Sequence, residues 1–293
     1  MELNESFLEA CEEGDKEGAL EALKKGADLL SSNEFGWNAF YCAVAGEQLE
    51  LAQWLLTEGV DPMQRNTRGG TSFQMAVQHG DLDFVDQLFD TKTCVNLQDD
   101  DGRFPLAEQV SMNDNADLTR YLIQHGADVN LQNKDGWTAL MYTVDQEYSW
   151  KDIFQVLIAA GADVNHQTKD GWTPLLYASK NPHRNDDIFD LLLDAPNLDV
   201  NLTGRHFGWT PLMAAVTADN ASVALHRVGQ LLERGADVDA KMAFDDGPKH
   251  RAQHDVLPRN CYERIAVSDT YQGYTALKWA TKLGRSQIES LLR

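Results

Sequence analysis

Gly136-Trp137-Thr138-Ala139-Leu140 returns as Gly171-Trp172-Thr173-Pro174-Leu175 and again as Gly208-Trp209-Thr210-Pro211-Leu212. Looser copies are Gly36-Trp37-Asn38-Ala39-Phe40, Gly69-Gly70-Thr71-Ser72-Phe73, Gly102-Arg103-Phe104-Pro105-Leu106 and Gly273-Tyr274-Thr275-Ala276-Leu277. Their first glycines are separated by 33, 33, 34, 35, 37 and 65 residues. A second phrase closes most units: Gly126-Ala127-Asp128-Val129-Asn130, Gly161-Ala162-Asp163-Val164-Asn165 and Gly235-Ala236-Asp237-Val238-Asp239. A period that keeps one phase over seven copies is the mark of a repeat architecture.

Each residue of the phrase has a physical task. Glycine admits the positive φ of a tight turn. Threonine caps a helix N-terminus, and proline in the first turn lacks only an N–H that would have no partner there. The following Leu and Ala begin an apolar helical face. Later runs such as Ile153 to Ile158 and Ile188 to Leu193 supply a second helix, stopped by Gly126, Gly161 or Gly235 as the left-handed residue after its end. A turn, helix, turn, helix unit of this size cannot bury its apolar face alone, so neighbours must stack.

The period and phrase resemble those of the ankyrin repeat family, across nearly the whole chain. The resemblance implies an all-α fold: an ankyrin-repeat solenoid of stacked helix-turn-helix units with finger loops, capped at both ends. Residues 1–33 would form an N-terminal cap repeat, 34–241 six full repeats, 242–271 an inserted finger loop and 272–293 a C-terminal cap repeat. One such array replaces the two domains that the length of 293 residues suggests by itself. The sequence departs from the family where the histidine of Thr-Pro-Leu-His is expected: Ala107, Met141, Leu176 and Met213 stand there.

Composition narrows the partner. Hydrophobic residues make up 43% and charged residues 24% of the chain, which excludes a disordered tail, a collagen-like chain and a disulfide miniprotein. Acidic residues outnumber Lys and Arg by 46 to 25, giving a net charge of −21. Such a surface repels nucleic acid and anionic membrane and draws in basic partners. No apolar run reaches the length of a membrane span, and Met1 to Asp15 carries no signal pattern. Cys11, Cys42, Cys94 and Cys261 are scattered, as free thiols in a reducing compartment are. A cytoplasmic location is expected.

The spacing from a closing to the next opening glycine is 10 residues between Gly126 and Gly136 but 38 between Gly235 and Gly273. About 28 extra residues therefore lie in a turn between repeats, where a long loop is usually functional or disordered. The insert, Met242 to Tyr271, carries Arg251, His254 and Arg259 and is near neutral in charge. Cys261 to Val267 has the composition of a strand. His250, His254 and Cys261 lack an obvious fourth ligand for a structural zinc site, so no metal and no cofactor are expected. Nothing resembles a nucleophile-base pair, a phosphate loop or a zinc-protease motif, and no catalytic residues are assigned.

Trp37, Trp137, Trp172, Trp209 and Tyr274 share one slot, between the glycine and the helix cap; Arg103 and Gly70 take it elsewhere. In the ankyrin family this slot lies at the finger base and commonly contacts partners. Large amphipathic side chains dominate interface energetics, and Trp137, Trp172 and Trp209 are expected as a ladder with the spacing of stacked helices, about 8–10 Å. Acids border it: Asp100, Asp101, Asp135, Asp145 and Asp170. An aromatic, acidic groove suits a Lys- or Arg-rich segment through cation–π contacts and charge pairs. The sequence thus points to a non-enzymatic module that binds a basic protein through this groove and the inserted loop, as an inhibitor or immunity-type binder does. A bacterial effector engaging host proteins, and a small-molecule or carbohydrate receptor, are the alternatives.

Overall fold

The computed structural model describes residues 2–145, 150–180, 186–204, 208–242 and 273–293. Seventeen helices and no strand are found among them, in two compact units, Met1–Lys134 and Asp135–Arg293.

The first unit pairs α1 (Glu2–Glu13) with α2 (Lys16–Lys24), α3 (Ala39–Ala45) with α4 (Leu49–Thr57), and α5 (Ser72–His79) with α6 (Leu82–Leu88). After the single turn α7 (Thr91–Cys94), α8 (Pro105–Met112) pairs with α9 (Ala116–Gln124). The leading helices α1, α3, α5 and α8 pack in sequence, and α4, α6 and α9 form a layer behind them. Phe7, Phe40, Phe73, Phe104, Leu106, Leu118 and Leu122 are sealed between the layers; each such side chain contributes about 1.5–3 kcal/mol on leaving water. Phe89 packs edge-on against both Phe40 and Phe73, at 5.8 and 5.2 Å between centroids.

The second unit repeats the plan: α10 (Ala139–Asp145) with α11 (Lys151–Ala159), α12 (Pro174–Lys180) with α13 (Asp186–Leu193), α14 (Pro211–Val216) with α15 (Ala221–Glu233), and α16 (Ala276–Lys282) with α17 (Ser286–Leu291). Leu140, Leu175, Phe189 and Leu212 lie in its core. The helix caps act as the phrase requires. Thr173 Oγ1 accepts from the Leu176 amide at 3.0 Å, and Thr210 Oγ1 from Met213 at 3.2 Å. Gly126, Gly161 and Gly235, past the ends of α9, α11 and α15, have φ of +95°, +87° and +82°.

The fingers share one hydrogen-bond register. The amide of Thr168 donates to the carbonyl of Trp172, and the amide of Gly171 to that of Thr168. Asn33, Asn66 and Asp99 close their fingers on Trp37, Gly70 and Arg103 in the same way, each four residues on. In the last finger the same two bonds join Met242 to Tyr274 and Gly273 to Met242. Met242 and Gly273 are therefore joined at one fingertip. Residues 243–272, and with them the expected contacts Arg251, His254 and Arg259 and the segment Cys261 to Val267, lie outside the described residues.

Neighbouring fingers touch through backbone. Lys169 donates to Asp135 O at 3.0 Å, and in the first unit Thr67 donates to Phe35 O at 2.9 Å. The fingertip glycine is what permits this approach. A Cβ on Gly136, where φ is +86°, would lie 2.9 Å from both the Lys169 nitrogen and the Thr168 Cα. The second phrase is also structural. Asp128, Asp163 and Asp237 each accept the amide two residues on, at 2.9 Å. Asn165 takes the Asp199 amide at 2.8 Å and donates to Asn197 O at 2.7 Å, tying one repeat to the next.

Candidate functional site

The slot residues are set by their fingers and backed by the helix that follows. In the second unit Trp137, Trp172, Trp209 and Tyr274 are all half-buried. The residue five positions after the slot lies on the leading helix and is aromatic in three of the four repeats: Tyr142, Tyr177 and Trp279. Trp137 packs on Tyr142 at 5.3 Å and edge-on to Tyr177 at 5.2 Å; Trp172 meets Tyr177 at 6.1 Å. Tyr177 thus stands between Trp137 and Trp172. Trp209 packs on Trp279 at 5.7 Å, as does Tyr274 at 5.5 Å. The indole of Trp279 donates to Met242 Sδ at 3.3 Å, anchoring the base of the finger that carries the insert.

Polar groups fix this aromatic row. Tyr177 donates its hydroxyl to Asp145 Oδ1 at 2.5 Å. Lys180 Nζ donates to Thr217 O and Oγ1 at 3.2 and 3.3 Å. Asp135 is exposed and Asp170 half-exposed on their fingers.

The first unit solves the same positions differently. Trp37 stacks on Tyr41 at 4.8 Å with 21° between planes, and Phe35 tilts against it at 5.6 Å. Gly70 then leaves the second slot without a side chain, and Met75 takes the fifth position after it. In the third repeat the pair is ionic: Arg103 in the slot, Glu108 five residues on. The vacant slot opens a cavity of about 340 Å³ lined by Phe35, Trp37, Tyr41, Asn66, Arg68, Gly70, Gln74, Met75, Gln78, Asp99, Arg103 and Glu108, among others.

Its electrostatics follow from burial. Asp99 is 8% exposed; its Oδ1 accepts the amides of Asp101 and Arg103, and its Oδ2 takes Arg103 Nε at 2.9 Å. Glu108 Oε2 accepts from Gln78 at 2.7 Å, while Oε1 lies 3.6 Å from Arg103 Nε, beyond a hydrogen bond. Burial raises the Glu108 carboxyl above its ordinary range, against the opposing pull of Arg103 and Gln78. For Arg103, burial works against the charge, but Glu108 and Asp99 outweigh it and hold the guanidinium above its usual value. Burial pushes Tyr41 up to about 12, although Asn66 hydrogen-bonds it; Tyr41 also feels the charges of Glu108 and Arg103. Gln74, at the place of the family's histidine, donates to Arg103 O at 3.0 Å.

Of the residues expected at the site, Trp37 and Arg103 meet at this cavity. Asp100 and Asp101 are exposed on the Arg103 finger, with Asp101 Oδ2 3.9 Å from Arg103 Nη2. Trp137, Trp172 and Asp145 gather around Tyr177, and Trp209 and Tyr274 around Trp279. Tyr41, Glu108 and Tyr177 were not singled out by sequence reasoning, and Gly70 was read only as a slot without a side chain. A signal for Glu108 and Tyr177 existed in the fifth position after each slot, where aromatics recur and one glutamate interrupts them. Among the described residues no group of His, Cys, Asp or Glu is disposed to hold a metal, and no helix is long and apolar enough to cross a membrane.

Stacked helix pairs with hydrogen-bonded fingers define a helical repeat protein. The chain belongs to the ankyrin repeat family: the family model described as ankyrin repeats in three copies matches residues 7–99, 73–168 and 147–242. Ankyrin repeats are protein–protein interaction modules. Similar proteins include the ankyrin repeat protein FPV014 of Fowlpox virus, 32% identical over 123 residues, which are 41% of this chain and 28% of the relative. The ANK repeat-containing protein nipk-1 of Caenorhabditis elegans is 29% identical over 130 residues, 39% of this chain and 21% of the relative. The 2-5A-dependent ribonuclease of Mus musculus is 31% identical over 77 residues, 26% of this chain and 10% of the relative. The chain thus spans less than a third of each of these relatives.

Proposed function

We propose that this chain is a non-enzymatic recognition module that grips a basic protein segment through the face made by its finger bases and leading helices. The observation that carries this reading is the aromatic and acidic composition of that face. Trp37, Trp137, Trp172, Trp209 and Tyr274 are half-buried, each with one side held by the fold. Asp100, Asp101, Asp135 and Asp170 border them. Indoles held this way offer a rigid surface, which lowers the ordering cost of association. A net charge of −21 speeds the approach of a cationic partner. The insert read from the sequence, Met242 to Tyr271, would add Arg251, His254 and Arg259 as further contacts. The role is that of an inhibitor or immunity-type binder covering a basic surface.

The test leaves the indoles alone, because Trp→Ala would also remove packing. Asp100, Asp101, Asp135 and Asp170 are changed together to Asn, and affinity capture is run at low and high salt beside wild type. A basic protein held by wild type at low salt, released by high salt and lost by the variant is the expected result. Equal retention by both proteins refutes the acidic-groove reading.

A second reading is favoured by the cavity at Gly70. Its volume of about 340 Å³ falls in the range of small-molecule sites, and one relative is named for its dependence on 2-5A. Binding that ignores salt would favour it.

A further inference from the structure

The slot left empty by Gly70 gives this finger base depth as well as surface. We infer that this cavity is an anchor pocket for a single arginine side chain of the partner, with Gly70 as its specificity-determining residue. The inference rests on the reading of this face as a protein-binding surface, and it names the group recognised there.

Three features converge on a guanidinium. The first is the aromatic wall. Trp37 is held in place by stacking on Tyr41 and by its own amide bond to Asn33 Oδ1 at 3.0 Å, and Phe35 extends the wall toward the fingertip, 53% exposed. A planar cation gains from lying on such rings. The second is Glu108, 9% exposed. Gln78 serves Oε2, but no hydrogen bond reaches Oε1, since the nearest cation, Arg103 Nε, is 3.6 Å away and already bonded to Asp99. Oε1 is thus left to solvent and open to a donor that enters the cavity, while burial of the rest of the side chain raises this carboxyl. A guanidinium on the rings with one N–H toward Oε1 supplies the missing bond. The third is the opening. With Trp, Tyr or Arg in the other slots, only Gly70 leaves room between Trp37 and Arg103, in the repeats on either side.

One lining group opposes an incoming cation. Arg68 is exposed at the tip of the Gly70 finger, and among the described residues no ion pair holds it. Its long side chain is free to turn to solvent. It therefore separates the occupants: its removal helps a cation and harms an anion.

The probe is a fluorescently labelled peptide of alternating Arg and Ser, with versions in which Lys or citrulline replaces Arg, titrated at low and high salt. Wild type is expected to bind the Arg peptide about tenfold or more tightly than the citrulline peptide, the scale of a charge-assisted hydrogen bond, and more tightly than the Lys peptide. Gly70→Trp restores the phrase of the other repeats. Its Cβ would meet the Asn66 side chain, at 3.1 Å from Nδ2, 3.4 Å from Oδ1 and 3.5 Å from Cγ, a contact that a shift of a few tenths of an ångström relieves, and Trp37 shows that this finger geometry accepts an indole. The variant should keep the wild-type circular dichroism melt and lose the preference for Arg over Lys. Glu108→Gln should weaken the Arg peptide about tenfold, and Arg68→Ala should keep or strengthen it.

Equal binding of Arg and citrulline peptides, or an unchanged Arg preference in folded Gly70→Trp, overturns the pocket while salt-sensitive binding leaves the basic-partner reading standing. A tenfold loss in Arg68→Ala overturns it in favour of an anionic or small-molecule occupant. Failure of wild type to bind any basic peptide at low salt overturns both readings.

Discussion

Two glycines of the second unit with nearly the same backbone angle separate the conformational and the steric reasons for glycine in this array. Gly136 is at the fingertip with φ +86°, and Gly161 follows α11 with φ +87°. An alanine at either position meets the left-handed penalty, about 1–2 kcal/mol. Around Gly161 nothing lies within 4 Å of the added Cβ, so that penalty is the whole cost. At Gly136 the Cβ would sit 2.9 Å from the Lys169 nitrogen and from Thr168 Cα. Both are backbone atoms and cannot rotate away. Forcing them apart adds about 1–3 kcal/mol, as overpacking does, and stretching the Lys169 to Asp135 bond removes about 1 kcal/mol more. Gly136→Ala should therefore cost about 3–6 kcal/mol, and Gly161→Ala only the penalty it shares, about 1–2 kcal/mol. Urea unfolding followed by far-ultraviolet circular dichroism gives the totals. Amide exchange at Lys169 localises the difference, because that amide should lose protection in Gly136→Ala and keep it in Gly161→Ala. Losses equal to within about 0.5 kcal/mol, with Lys169 equally protected in both, would refute the account of finger stacking.

Two further outcomes concern ionisation. Burial pushes the Cys11 and Cys42 thiols up to about 12 each, from an ordinary value of 9.0, with the interaction between Cys42 and Cys11 adding to the rise at Cys11. The stability they contribute is fully present below the ordinary thiol range and is lost as pH rises toward 12; at about pH 8, where reactive thiols are thiolates, iodoacetamide should label neither residue until urea is added. Labelling of either in the native protein at the unfolded rate would contradict their placement. Glu108 is raised mainly by burial, so its contribution is present below the ordinary carboxyl range and is lost as pH climbs through its raised value. Glu108→Gln should therefore gain stability relative to wild type as pH rises from acid to neutral, read from urea midpoints; a pH-independent difference, or one of opposite sign, would count against it.

The fold was legible because its determinants are local and repeated. Thr173 and Thr210 cap their helices through hydroxyls that accept from amides three residues on, Gly126 and Gly161 stop theirs, and Asp128 and Asp163 close turns two residues long. Every one of these bonds spans a few residues, so spacing alone reveals it. The slot aromatics were legible for the same reason. What they touch was not, because Trp137 meets Tyr177 forty residues on and only the stacking of repeats brings the two together. Asp99 shows the other limit. Beside Asp100 and Asp101 it looks like part of a solvated acidic run, yet it is buried and fixed to its own finger. Its position four residues before the slot, shared with Asn33, Asn66 and Thr168, is what sets it apart from its neighbours.

The two units build different faces from one pair of positions. In the second, the slot and the fifth residue after it hold Trp137 with Tyr142, Trp172 with Tyr177 and Tyr274 with Trp279, rings on rings that keep polar groups at the edge. In the first, the same pair becomes Gly70 with Met75 and then Arg103 with Glu108, and the aromatic filler is replaced by space and charge. The backbone does not change to permit this. Asp99 closes the Arg103 finger with the bonds that Asn33 uses at Trp37, and Gln74 reaches the next finger's carbonyl. Because the finger register is fixed by backbone and short side-chain bonds, the slot pair can vary without cost to the fold. Differences at that pair accordingly change what a finger base presents without moving the finger, and Gly70 with Arg103 and Glu108 is the point at which the repeats of the first unit depart most from the shared phrase.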